Sequence, residues 1–204
     1  MSARDDILGS IRARNTRRVV RPEPFRAPTP ERALLDAFVD RAQRVNADVR
    51  VLERDEDIPA AVAELLRARN LAARIHLPPE SDLADIDWQL EVERTPPGPD
   101  DTALTRAPLA LAETGTLVQP ARDASPASWH FRPGFEIAIL RERDIVANFE
   151  SALEKLGALP TTVNLITGPS RTGDIEQTLE LGAHGPKALA VVVVRDSRSI
   201  PPSP

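Results

Sequence analysis

Cysteine is absent from the 204-residue chain, which removes disulfides, thiolate nucleophiles and Cys-ligated zinc or iron–sulfur clusters from its own chemistry. Any redox centre the protein works with must sit on a partner. Histidine is sparse: His76, His130 and His184 are far apart and form no HxH or HxxxH pattern, so no metal site is expected. Aromatic residues make up 3% of the chain against 41% apolar residues in all, which predicts a core of Leu, Val, Ile and Ala. Positive charge is in deficit, with a net charge of -5. The basic face that phosphate contacts require is therefore lacking, and nucleic acid is not expected as a partner. No apolar run approaches the roughly 20 residues that span a bilayer, and Asp5 and Asp6 stand where an export signal would be continuously apolar. A cytoplasmic protein without a membrane span is expected.

The length suits one substantial core rather than two. Residues 2–14 read as a short helix with the stripe Ile7, Leu8 and Ile11, an arm that packs on the rest. Arg12, Arg14, Arg17, Arg18 and Arg21 form a basic run, read as a solvated flank in preference to a site that recruits an acidic partner or anionic surface. Pro22, Pro24, Pro28 and Pro30 make a stiff, extended connector. The expected division is a helical arm and connector over 1–30, an α/β domain over 31–196, and a disordered tail over 197–204.

Within the domain, a helix from Glu31 is marked by Leu34, Leu35, Phe38, Ala42 and Val45. A strand over Asp48–Leu52, a helix over 57–69 and a strand over 72–77 follow, a succession that implies parallel pairing. A weakly alternating segment over 88–92 precedes the breakers Pro96, Pro97, Gly98 and Pro99. Apolar runs at 109–112 and 116–118 are interrupted by Glu113, Thr114 and Gly115. A strand over 135–140, a helix over 144–156 and a strand over 162–167 continue the pattern. Then come a turn at Gly168, a helix over 171–181 stopped by Gly182, and a buried strand over 189–194. The expected fold is α/β: a three-layer open mixed or parallel sheet flanked by helices.

The stretch Thr167, Gly168, Pro169, Ser170, Arg171, Thr172, Gly173, Asp174, Ile175, Glu176 carries the most chemistry. It joins the end of a strand to an expected helix start, where ligands favour open sheets and where exposed N–H groups attract anions. Its glycine spacing imitates a P-loop, but Asp174 and Ile175 occupy the places of the required Lys and Ser or Thr, which excludes a nucleotide triphosphatase. Asp174 and Glu176 would repel a phosphate, so a small carboxylate held bidentately by Arg171 fits better. The plainer reading is that Ser170 or Thr172 caps the helix and the glycines permit the turn.

Glu113 has two readings as well. It is a general base or carboxylate nucleophile facing the same cleft as Arg171, or a turn carboxylate that satisfies nearby N–H groups. His184, between Gly182 and Gly185, is either an acid/base group or a loop side chain bonded to backbone. Trp129 and His130 read as a loop lid or plain packing. The candidate ligand-binding residues are Thr114, Gly115, Thr116, Gly168, Ser170, Arg171, Thr172, Asp174 and Glu176, with Glu113 and His184 as candidate catalytic groups.

Taken together, the string from Ala112 to Val118, the string from Ile166 to Glu176 and its continuation from Leu181 to Pro186 resemble the paired signatures of LUD-domain proteins of the LutC/YkgG type. The resemblance is strong over roughly residues 100–195 and loose before them. It implies a fold similar to the NagB/RpiA/CoA-transferase-like group. It also implies a place beside iron–sulfur subunits that oxidise L-lactate to pyruvate, this chain being the component that carries no cofactor. Two positions depart from the pattern: Phe135 stands where a histidine is expected in relatives, and Gly173 where alanine is usual.

The leading expectation is thus a non-redox subunit of a lactate-oxidising complex that binds a small carboxylate or a partner surface at residues 168–176. Fold analogy alone supplies a rival, a CoA-transferase or sugar-phosphate isomerase using Glu113. A structural assembly factor is the third reading, and a homo-oligomer is left open.

Overall fold

The computed structural model describes residues 3–14, 23, 28, 32–79, 81–122, 125–158, 160–173, 179–181 and 185–196. Arg17, Arg18, Arg21, most of the proline-rich connector and the expected tail over 197–204 lie outside the described residues.

Helix α1, Ala3–Arg14, comes first. The expected packing of this arm is not made: Ile7 and Ile11 are 60% and 57% exposed, and none of the helix is buried. Three apolar residues set among Arg4, Asp5, Asp6, Arg12 and Arg14 are too few to drive docking. Helix α2, Leu34–Arg44, follows from Leu35, Phe38 and Ala42 at one-turn spacing. Strand β1, Asp48–Leu52, leads to helix α3, Ile58–Ala68, which starts with Pro59 where no hydrogen-bonded N–H is needed. Strands β2, Arg74–His76, and β3, Glu91–Glu93, are short. Strand β4, Thr102–Ala107, turns at Pro108 into β5, Leu109–Leu111, which forms a hairpin with β6, Thr116–Pro120. A single helical turn, α4, Ser128–Phe131, precedes β7, Phe135–Arg141.

The next segment corrects the expected helix over 144–156. Ile145–Val146 is a strand, β8, and helix α5 spans only Phe149–Leu156, because the Asn148 side chain accepts the Ser151 N–H at 3.0 Å and starts it there. Strand β9, Val163–Ile166, follows. A second correction concerns the expected helix over 171–181. Its described ends are strands β10, Arg171–Gly173, and β11, Leu179–Leu181, paired antiparallel with Arg171 opposite Leu181 and Gly173 opposite Leu179. Gly173 and the β-branched Thr172 are poor helix formers at the position where the helix would have begun. Strand β12, Ala188–Val194, completes the described chain.

Ten of these strands build two larger sheets. A six-stranded parallel sheet runs β1-β12-β7-β4-β2-β3, and a four-stranded mixed sheet runs β8-β5-β6-β9. Strands β1 and β2 are parallel but three strands apart, since β12, β7 and β4 enter between them. Alternation in the central strands sets the layers. Leu189, Val191 and Val193 of β12, with Ala138 and Leu140 of β7, face α2 and the inner side of the second sheet, Ala110, Leu117 and Ile166. Ala190, Val192 and Val194, with Ile137 and Ile139, face Ile58, Val62, Leu65 and Leu66 of α3. Helix α5 covers the outer side of the second sheet through Ala152 against Leu109, Leu111 and Val118. The result is an α/β fold of mixed sheets flanked by helices, with a nearly all-aliphatic core.

Candidate functional site

The two polar turns meet at the end of α2. Residues 112–115 form the β5–β6 turn, in which the Gly115 N–H donates to Leu111 O at 3.0 Å. Gly115 has φ +70°, and a Cβ there would strike the backbone of Arg41 and Ala42. Gly168 has φ +72°, and its Cβ would strike the Val45 carbonyl. Both glycines are thus required by positive φ and by the close passage of the α2 C-terminus. Antiparallel pairing of β6 with β9 puts Leu117 opposite Ile166, which brings the next residues together. Thr116 Oγ1 lies 2.7 Å from Thr167 Oγ1 and 2.7 Å from Thr114 Oγ1. Thr116 is buried, and the outer hydroxyls are exposed.

Beyond Gly168 the Ser170 N–H donates to Pro186 O at 2.9 Å, holding the segment before β12 against the turn. A cavity of about 590 Å³ opens here, lined among others by Arg44, His130, Thr167, Gly168, Ser170 and Arg171. Its walls are basic. Arg44 is tied to Asp40 at 3.2 Å, while Arg171 is exposed and forms no ion pair among the described residues. Asp40 is held below the usual carboxylate range, chiefly by a hydrogen bond from Arg32 and against the effect of its burial. Of the two arginines lining the cavity, Arg171 is thus the one without an ion pair among the described residues.

The other candidates are placed as follows. Glu113 is exposed, and its Oε1 accepts the Phe149 N–H at 2.9 Å, so the carboxylate sits at the N-terminus of α5. Its own N–H donates to Ala147 O at 3.1 Å. Glu113 is not among the residues lining the Arg171 cavity. Thr172 lies in β10, opposite Glu180. Asp174, Glu176 and His184 lie outside the described residues. Since a β-ribbon rather than a helix follows Gly168, helix-dipole attraction does not contribute at this turn. Among the described residues, no three His, Asp or Glu side chains are grouped so as to hold a metal ion. None of the described helices is long and apolar enough to cross a membrane.

A set of residues not singled out as functional from the sequence lies behind the same cavity. His130 of α4 is 2% exposed, and its Nδ1 lies 2.6 Å from Oε1 of the fully buried Glu136 on β7. Thr105 Oγ1 of β4 donates to the same Oε1 at 2.7 Å. The sequence signal was a lone glutamate in the otherwise apolar stretch from Phe135 to Leu140.

Comparison with known proteins bears on the same region. The LUD domain family model matches residues 100–194, which hold both turns, the cavity-lining residues other than those at the end of α2, and strand β12. A lactate utilization protein C of an Exiguobacterium strain is 30% identical over 183 residues, spanning 81% of this chain and 80% of that protein. The chain belongs to the LUD-domain family, among the lactate utilization protein C relatives. Two further proteins of that description, from Geobacillus kaustophilus and Geobacillus thermodenitrificans, are 39% and 38% identical over 95 residues. Those alignments span 43% of this chain and 40% of each Geobacillus protein, so the match covers well under half of their length. A crystal structure of a DUF162 family protein from Deinococcus radiodurans has a similar fold, with a TM-score of 0.63 at 24% identity over 82% of this chain and 99% of that one.

Proposed function

We propose that this LUD-domain chain serves lactate utilization as the cluster-free member of an L-lactate-oxidising assembly, binding a small carboxylate at Arg171. The observation that carries the reading is the placement of Arg171 beside Gly168 and Ser170 in the basic cavity of about 590 Å³. The threonine bridge from Thr114 through Thr116 to Thr167 supports it, because it ties both family signatures to this one wall. A guanidinium matches a carboxylate with two parallel N–H donors, and the turn backbone needs only to keep that approach open. The relatives named lactate utilization protein C supply the substrate class. Electron acceptors belong to partner subunits carrying iron–sulfur clusters, since a chain without cysteine has no thiolate to ligate one.

Glu113 is read here as a helix-capping carboxylate and not as a nucleophile, because its Oε1 is already engaged by α5. The test is lactate-dependent electron transfer by the assembly reconstituted with the wild-type chain, with Arg171→Ala, and with the chain omitted. Loss of transfer on omission and on Arg171→Ala is expected. Full transfer with Arg171→Ala but none on omission would make the chain an assembly factor whose cavity is not used.

A further inference from the structure

Glu136 is 0% exposed, set between Phe135 and Ile137 in a central strand, where a carboxyl group without partners is costly. Its Oε2 is buried with no hydrogen-bond partner, while Oε1 carries two contacts, Thr105 Oγ1 at 2.7 Å and His130 Nδ1 at 2.6 Å. Apolar side chains of similar volume would stabilise this position at least as well as a buried polar group. What the arrangement does achieve is orientation. Oε1 faces both Thr105 Oγ1 and His130 Nδ1, and a carboxylate oxygen there accepts from each. With Nδ1 engaged by Glu136, Nε2 is the ring nitrogen left to meet a ligand, and in a neutral ring so held it is an acceptor. His130 lines the same cavity as Arg171, and among the described residues its Nε2 makes no hydrogen bond.

We infer that His130 Nε2 accepts a hydrogen bond from the hydroxyl of a 2-hydroxy carboxylate whose carboxylate is paired with Arg171. This rests on the carboxylate reading above and deepens it: His130 selects among carboxylates that Arg171 alone would bind alike. A ring nitrogen held as an acceptor suits the O–H of a 2-hydroxy acid. It opposes the carbonyl oxygen of a 2-oxo acid and finds no partner in an unsubstituted acid. Glu136 and Thr105 are positioning residues that act through the ring.

The test titrates the full chain calorimetrically with L-lactate, pyruvate and propionate. Wild type is expected to bind L-lactate about tenfold or more tightly than either of the others, as sites built around a substrate hydroxyl do. Arg171→Ala should weaken all three together. His130→Asn should abolish the preference for lactate and leave propionate binding unchanged. Glu136→Gln removes the carboxylate that orients the ring and should reduce the preference for lactate while leaving propionate binding unchanged, a selective loss that a merely structural role would not produce. If Glu136→Gln does not fold, the wild-type and His130→Asn titrations decide. Equal binding of lactate and propionate by wild type would overturn this inference while leaving the carboxylate site standing. No binding of any of the three would overturn both.

Discussion

Thr116 Oγ1 stands 2.7 Å from Thr167 Oγ1, a hydroxyl pair that joins positions 51 residues apart and fastens the β5–β6 hairpin to the end of β9. Thr116 also reaches Thr114 at 2.7 Å, so one buried hydroxyl serves both sides of the joint.

Thr116→Val keeps the shape and the β propensity of the site but removes both contacts. The loss should be about 1–2 kcal/mol, since Thr167 and Thr114 can turn to water while the buried position loses its bonds. Combining Thr116→Val with Thr167→Val in a denaturant-unfolding double-mutant cycle should show coupling of about 0.5–1.5 kcal/mol. Strict additivity would mean that the two turns are held together by their backbones alone.

Gly115, Gly168 and Gly157 all have positive φ, but they differ in what surrounds them. A Cβ at Gly115 meets the backbone of α2 and one at Gly168 the Val45 carbonyl just after it, whereas one at Gly157 meets nothing within 4 Å. Gly157→Ala should therefore cost only the backbone strain, about 1 kcal/mol. Gly115→Ala and Gly168→Ala should cost clearly more, because α2 must shift as well. Thermal melts of the three variants rank them; equal shifts would show that the end of α2 yields freely.

The helices that matter to the core were legible because burial forces their period. Leu35, Phe38 and Ala42 repeat at one-turn spacing, as do Ile58, Val62, Leu65 and Leu66. Strand β12 was legible as an unbroken valine run. Strand β4 was not, since Thr102, Thr105 and Arg106 break up its apolar residues although most of the strand is buried. The ribbon of β10 and β11 was misread because its pairing joins residues across a glycine-bearing segment in which no local period distinguishes helix from strand. For the site, the order of the two signatures was visible, but their meeting at Thr116 and Thr167 depends on β6–β9 pairing, a long-range event. His130 and Glu136 form a pair only once α4 folds back against β7, so Trp129 and His130 looked like loop or packing residues.

Asp101 should make stability depend on acid pH. Its carboxyl is held below the ordinary value of 3.8, first by the Gly98 N–H, against the effect of burial, and further by His76 and Arg74. A carboxylate depressed on folding contributes stability that is fully present above its unfolded value and is lost as pH falls through the folded one. Unfolding free energies of wild type and Asp101→Asn should therefore differ most at neutral pH and converge below about pH 4. A constant difference down to pH 2.5 would assign the effect to packing around the Pro96–Pro99 loop instead.

Glu113→Gln separates the two roles open to that side chain. The Phe149 N–H at 2.9 Å is one of the unpaired donors that every helix start presents, and a carboxylate there is favoured by the helix dipole as well. The amide keeps an acceptor oxygen and loses the charge, so the variant should be less stable by about 0.3–1 kcal/mol. Added salt should narrow that gap, because the lost term is a screened surface interaction. Carboxylate binding at Arg171 should be unchanged, as Glu113 does not line that cavity. The decisive comparison is lactate-dependent electron transfer by the reconstituted assembly with wild type and with Glu113→Gln. Transfer within about twofold of wild type is expected if Glu113 serves α5, whereas a loss of 10²-fold or more, the size of a missing acid/base group, would return it to the chemistry.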